Sequence, residues 1–548
     1  MMRSYLHPCA GRRKLLRCVS STFLVDYERR QRSISTMRRS IAPDTFVAPV
    51  EDTHPRRRRA TPAVPPLSRL DGFLFAALAV LLAALPWPLG ANRPWAWSAL
   101  FLAGSAFLLL LGATLVLGLA RAPRLPGTVR LALVLVAAVV GWILVQSGPA
   151  PWPELAHPIW ALLPTELAAR PAIAIDPPRA REALLRLLGP LALLAVAYVL
   201  GSHRAASERL VRLLLILITA QAAFAFLRIV VGWDELFGRA LPLERISGSF
   251  VNPNHFAAYV NLGAVIAFLL LLDQARRDAD SPRLGASLSR LLTTAFQSRP
   301  LLAAALMSCL LAVAASASRG GALALGLTLL ILIAAGLRGA RLPLLLAGLG
   351  LLAALVGWAV SAGGELLWQR LVDLDPKSAF SPGIEGRLLA WAWTLERIAE
   401  RPWLGHGYGG FMSLFEHARD ARFPTGGPWD YAHNTYLELA VELGIPAAAA
   451  LALAVLLCLV PCMAAIRRGT SSPLPAIALG ATLVQALHAL VDFGWQIPAV
   501  TATWAALLGA AVGRSAATLE RAPARRRRAS SQISESMVPR GGIEPPTP

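Results

Sequence analysis

The stretch Y-A-H-N-T-Y-L-E-L-A-V-E-L-G, residues 431–444, sets His433 and Asn434 directly before a long apolar run. Asn434, Glu438 and Glu442 are spaced by four, so they share one face of any helix that forms there. Polar and charged groups at the mouth of an apolar helix are costly and mark candidate functional positions. The run they open, 436–464, exceeds the roughly 17–25 residues needed to cross a bilayer. Eleven further runs of comparable character lie near 72–90, 95–120, 128–147, 183–201, 208–231, 252–272, 300–317, 319–337, 342–362, 474–491 and 496–514. The expected fold is all-α, a polytopic membrane protein of about twelve transmembrane helices. One large outer loop, 363–435, precedes helix ten.

Composition agrees with that class. The chain is 55% hydrophobic with a mean hydropathy of +0.54, richer in apolar residues than soluble domains. The net charge of +21 does not point to nucleic acid, because it is gathered in the tails. Residues 1–70 hold 15 Lys and Arg against 5 Asp and Glu, and Arg525–Arg528 add a second block. Basic flanks of a membrane body follow the positive-inside rule. With the N-terminus in the cytoplasm, the inside loops carry Arg121/Arg124/Arg130, Arg204/Arg209, Arg276/Arg277/Arg283/Arg290, Arg338/Arg341 and Arg467/Arg468. The division expected is a disordered cytoplasmic tail 1–66, a membrane domain 67–515 and a second disordered tail 516–548. The first span is expected to act as a signal anchor. The five cysteines show neither metal spacing nor a disulfide framework.

Three motifs fall on the outer side under this topology. R-I-S-G-S-F-V-N-P-N-H, residues 245–255, leads into the sixth run; S-R-G-G, 318–321, into the eighth; His433-Asn434 into the tenth. Each presents a helix N-terminus, with its partial positive charge and free N–H donors. Arg245 and Arg319 would add planar forks that hold phosphate oxygens. His433 has the one side chain whose ordinary pKa suits it to accept a hydroxyl proton near neutrality. Two arginines for a leaving diphosphate and one base for an attacking hydroxyl describe a glycosyl transfer from a lipid diphosphate. Asn252, Asn254, His255, Asn434, Glu438, His488 and Asp492 are candidate substrate-binding residues, although turn, cap or packing roles compete at each. Arg228, near the outer end of the fifth run, is expected to snorkel, with contact to phosphate as the alternative.

Other signals are weaker. Asp373-Leu-Asp375 matches a metal–nucleotide motif, but an outer loop offers no nucleotide. Gly405–Gly410 looks like a phosphate loop, yet no strand precedes it, and it is expected to be a flexible turn. The helical pattern over 385–400, with Leu388, Leu389, Trp391, Leu395 and Ile398 apolar, predicts a helix lying on the membrane surface. No metal or cofactor is expected.

Five segments resemble the O-antigen ligase and O-antigen polymerase superfamily of bacterial envelope proteins. They are R-I-S-G-S-F-V-N-P-N-H-F-A, S-A-S-R-G-G, R-P-W-L-G-H-G-Y-G-G-F, H-N-T-Y-L-E-L-A-V-E-L-G and H-A-L-V-D-F, in that order over roughly 70–515. The resemblance implies a multi-pass inner-membrane enzyme, both termini cytoplasmic and a periplasmic active site. It implies metal-independent transfer of a glycan from undecaprenyl diphosphate to an acceptor: lipid A core, another glycan or a protein. Its essential arginines fall on Arg245 and Arg319 and its histidine on His433. A repeat-unit polymerase is the near alternative. A small-anion transporter of the bicarbonate type is a more distant one, since no internal repeat is visible and the polar residues gather at one face.

Overall fold

The computed structural model describes residues 68–118, 124–164, 170–241, 243–278, 288–336, 384–423 and 429–536. The expected tail 1–66, the ninth run 342–362 and Asp373-Leu-Asp375 lie outside these residues. The described parts are almost wholly helical; their one hairpin joins β1 (Glu235–Leu236) to β2 (Arg239–Ala240).

The helices are α1 (Arg69–Ala84), α2 (Pro94–Val116), α3 (Gly127–Ser147), α4 (Pro177–Gly201), α5 (Arg204–Val231), α6 (Pro253–Arg277), α7 (Pro300–Ala315) and α8 (Arg319–Gly336). After the undescribed gap come α9 (Ile384–Glu400), α10 (Phe411–Ala418), α11 (Thr435–Leu443), α12 (Ile445–Arg467), α13 (Leu474–His488) and α14 (Pro498–Ser536). Six of them, α2 to α6 and α12, are long and apolar enough to cross a membrane; α7 with its bent lead-in makes a seventh. The starts are written locally. Proline occupies the first turn of α2, α4, α6, α7 and α12, where its missing N–H costs nothing. The side chains of Asp176, Asn252 and Asn434 cap α4, α6 and α11.

The bundle is built around α6. Its spanning window is 94% buried, as expected of a helix that is apolar all round. It packs against α5, α7, α8, α13 and α14. Helix α14 lies closely along α4 through small residues. A Cβ on Gly513 would stand 1.9 Å from the Tyr198 carbonyl oxygen, and one on Gly509 would stand 2.2 Å from that of Leu194. Gly509 and Gly513 have the four-residue spacing that lets two helices approach closely.

Four expectations are changed. The tenth run is two helices: Gly444, at φ 81° and ψ 155°, ends α11, and α12 begins anew with Pro446 in its first turn. The last helix continues to Ser536, past the boundary expected at 515; its alanine- and arginine-rich sequence is a good helix former. Arg228 does not snorkel. It is 2% exposed, and its guanidinium donates to the carbonyls of Trp233, Leu241 and Gly248 at 2.8–2.9 Å. It thereby fixes the loop that carries Arg245. Finally, α9 does not present one continuous apolar face outward. Ala390, Trp393 and Ile398 pack with Phe411, Phe415 and Phe423 in a second core, while Leu388 and Leu395 remain exposed.

The 405–410 turn leads into this second core at Phe411, its Tyr408 packs against a third cluster of Val139, Ile143, Leu184 and Leu443, and it is not loose. Gly405, Gly407 and Gly409 hold φ of 66°, 108° and 72°, which glycine adopts without penalty. His406 N donates to Val441 O at 2.8 Å, Gly407 N to Glu442 O at 2.9 Å, and Ile175 N to His406 O at 2.7 Å. The Glu442 carboxylate accepts from Phe411 N at 3.1 Å. Burial raises the Glu442 carboxyl above the ordinary carboxylate range.

A buried histidine pair ties this turn to the 148–176 loop. Ile159 N donates to His157 Nδ1 at 3.2 Å, His157 Nε2 and His406 Nδ1 are 2.9 Å apart, and His406 Nε2 reaches Arg397 O at 2.9 Å. The chain closes only if both rings are neutral with the proton on Nε2; a second proton on either ring sets two donors face to face. Burial and the nearby charges lower His157 to about 3 and His406 to about 4. Both lie below the ordinary 6.5, so the unfolded chain takes up these protons first. Stability from the pair is complete above about pH 6.5 and is lost as pH falls toward 4. We expect protease cleavage in 148–176 and 401–410 to rise steeply between pH 6.5 and 4.5, and His406→Gln to flatten that rise. Equal protection at pH 4.5 and 7.5 in the wild type would count against this.

Candidate functional site

The three motifs meet at one end of the bundle, around Asp492. Asp492 follows α13, is 1% exposed and carries the junction of several elements. Asn254 Nδ2, in the first turn of α6, donates to Asp492 Oδ2 at 2.7 Å. The same Asn254 accepts from Arg245 Nη2 at 3.1 Å through Oδ1. Arg245 is half-buried and also donates to Ser316 O at 3.0 Å and Ala317 O at 3.3 Å. The first motif is thus fastened to the turn that opens α8.

That turn is shaped by its small residues. Ala317 sits at φ 51°, an uncommon region for a residue with a Cβ. Ser318 Oγ accepts from Gly321 N at 3.3 Å and caps the helix. Gly320 and Gly321 allow α6, α8 and α13 to converge. A Cβ on Gly320 would lie 2.6 Å from Val491, and one on Gly321 would lie 2.9 Å from the Ala257 Cβ. Arg319 is then directed outward; it is exposed and has no hydrogen bond or ion pair among the described residues.

His433 completes the mouth. Its backbone is left-handed, at φ 52°, which costs about 1–3 kcal/mol and persists only where neighbours impose it. They do so on both sides. Glu438 Oε2 accepts from Ala432 N at 2.9 Å. Asn434 Oδ1 accepts from Tyr436 N and Leu437 N at 3.0 and 3.2 Å. Thr435 ties α11 to the 489–492 turn through Ala489 O at 3.0 Å and Asp492 O at 3.2 Å. The ring stands edge-on to Trp429 and Phe493, and Tyr431 stacks on the other side of the site against Phe493. The His433 side chain is 17% exposed, with Nδ1 3.9 Å from Asp492 Oδ1. Burial lowers its pKa to about 4 against the opposing pull of Asp492. The imidazole is neutral and unprotonated near pH 7.

The remaining sequence candidates take graded positions. Asn252 caps α6 by accepting from Asn254 N at 2.8 Å. His255 Nε2 is 3.8 Å from Asp492 Oδ1, and the ring abuts Phe493. His255, Glu438, His488 and Asp492 are all 6% exposed or less, so they reach the mouth through neighbouring side chains. Both ring nitrogens of His488 are buried without a partner among the described residues. Arg387 was not singled out in the sequence. It extends from α9 into the same cluster, donating to Val491 O at 2.6 Å and approaching Asp492 Oδ2 at 3.4 Å. One helical turn on, Trp391 Nε1 donates to Ala432 O at 3.0 Å.

Chemically, the mouth offers a neutral imidazole, a free guanidinium, a second guanidinium held beside it and the N-terminal ends of three helices. Residues 302–452 match the family described as O-antigen ligase. The matched segment includes Arg319, Arg387 and His433, and the match supports a likeness to the O-antigen ligase and polymerase superfamily across those residues. No curated protein matches the chain.

Proposed function

We propose that this chain, whose residues 302–452 carry an O-antigen ligase domain, transfers a glycan from undecaprenyl diphosphate to an acceptor hydroxyl at the periplasmic face of the inner membrane. The observation that carries the reading is the Arg245–Asn254–Asp492 chain of hydrogen bonds, which brings the first motif beside Arg319 and within the same cluster as His433. His433 takes the proton of the acceptor hydroxyl as its oxygen attacks the anomeric carbon. The new carbon–oxygen bond forms with inversion, the bond to phosphate breaks, and its electron pair leaves with the diphosphate. Arg319 and Arg245 bind the charge that develops there, with the α6, α8 and α11 termini adding to the field. Asp492 orients the histidines about it. The acceptor is lipid A core, a glycan or a protein.

The test is glycan transfer in a strain lacking the protein, complemented with wild type, Arg245→Ala or Arg319→Ala at matched membrane levels. Each variant is expected to lose transfer by about 10²-fold or more and to accumulate the lipid-diphosphate-linked donor. The missing product distinguishes the two activities: loss of chain length marks a polymerase, loss of a finished conjugate a ligase. Normal surface glycan in both variants would overturn the reading.

A further inference from the structure

Arg387 reaches from α9 to the centre of the site. It belongs to α9, 104 residues before the Val491 carbonyl that it holds. Its guanidinium is 22% exposed, facing a carboxylate that is 2% exposed. Trp391, on the same face of α9, grips the carbonyl of Ala432, next to His433. One helix face therefore braces the backbone on both sides of the His433–Asp492 pair.

The charges around Asp492 give this brace a second consequence. His255 faces it from α6, His433 from the segment before α11 and His488 from α13, while Arg387 faces it from α9. Arg245 reaches it through Asn254, and Glu438 is the next carboxyl, whose burial raises its pKa and opposes its ionisation. Arg319, at the head of α8, is exposed. A lone buried carboxylate among three imidazoles would draw a proton onto one of them. Arg387 is the permanent cation that meets this demand instead.

We propose that Arg387 is a positioning residue for the transfer reaction: it fixes Asp492 and balances its charge, so that the carboxylate orients His433 while leaving it free to accept a proton. This rests on the glycosyl-transfer reading. Burial and Arg387 both oppose protonation of His433, and Asp492 favours it. Without the guanidinium the imidazole protonates at higher pH.

The experiment uses full-length protein in vesicles from the host's own membranes, which carry the native lipid-linked glycan. Carbethoxylation of His433 by diethyl pyrocarbonate, which takes only neutral imidazole, is followed by mass spectrometry against pH. Glycan transfer is followed in the same vesicles. In Arg387→Gln the midpoint of His433 modification is expected to move up by about one pH unit, and transfer to fall further at pH 5.5 than at pH 8. Arg387→Lys keeps a charge but not the fork. Its midpoint should stay, while the maximal transfer rate drops several-fold with the acceptor KM unchanged. An unmoved midpoint in Arg387→Gln, or a loss of transfer equal at every pH, overturns the proposal. Should the glutamine variant not accumulate, wild-type transfer by Arg387→Lys overturns it. If the midpoint shifts but wild-type vesicles transfer nothing, the glycosyl-transfer reading fails and the hold of Arg387 on the cluster stands.

Discussion

His433→Ala is expected to lower glycan transfer by about 10²–10⁴-fold, the usual contribution of a positioned general base, with the protein still inserted in the membrane. The expectation follows from where the ring sits. Its edge is partly open, its neighbours are aromatic, and desolvation holds its pKa at about 4. A base of that pKa is unprotonated throughout the neutral range, so wild-type transfer should be flat above about pH 5 and fall as pH drops through 4. The same shift acts on stability. The folded pKa is below 6.5, so the unfolded chain binds the proton first, and acid between pH 6.5 and 4 weakens the native state. His433→Gln decides between chemistry and packing. The amide keeps much of the volume and a polar end but cannot take a proton at any pH used. A loss as deep as that of His433→Ala marks a base; transfer near the wild-type level with glutamine would reduce His433 to a structural residue. Kinetics must separate the cases further: the base affects the maximal rate, since acceptor binding does not depend on it.

Much of this site was legible before any coordinates, and the residues explain why. Arg245, Arg319 and His433 each stand at the start of a long apolar run, where a charged or titratable group has no ordinary reason to be. The spans they open were legible for the same cause. The boundary at Gly444 was harder. Its Gly-Ile-Pro sequence is a stop and a restart, but unbroken apolarity on both sides concealed it. Arg387 was not legible at all. A charged residue in an amphipathic helix is unremarked, and its contacts with Val491 and Asp492 span more than 100 residues. Asp492 was visible only as the fourth residue after His488, though it gathers groups from α6, α9, α11 and α13. The 405–410 turn shows the converse. Its glycines suggested freedom, but they are there because neighbouring backbone leaves no space for a side chain.

Gly513→Leu should produce the largest loss of folded protein. In the native packing even a Cβ at this position would stand 1.9 Å from the Tyr198 carbonyl oxygen. Ordinary contact is ~3.5 Å or more, so α14 and α4 must part by ~1.5 Å at least, and a leucine demands more. The contact cannot yield locally, because the obstacle is helix backbone. Gly509 meets the Leu194 carbonyl and Gly201 meets Ala510 along the same line, so separation at one point opens the whole seam. Overpacking a core typically costs about 1–3 kcal/mol, and three coupled contacts on rigid backbone place this case at or above the upper end. At roughly 2–4 °C per kcal/mol, the thermal midpoint in detergent should fall by about 5–10 °C, and membrane accumulation with it. Gly141→Leu in α3 is the control, since a Cβ there meets nothing within 4 Å; it should change neither. The consequence for function follows from the order of the elements. Helix α14 packs against α6, which begins with Asn252 and Asn254, and α4 begins at Asp176 beside the second core that holds α9. Opening the α4–α14 seam should therefore loosen both supports of the mouth, and the surviving Gly513→Leu protein should transfer glycan more slowly per molecule than the wild type. Wild-type melting and accumulation for Gly513→Leu would mean that these two helices do not pack through the glycine seam.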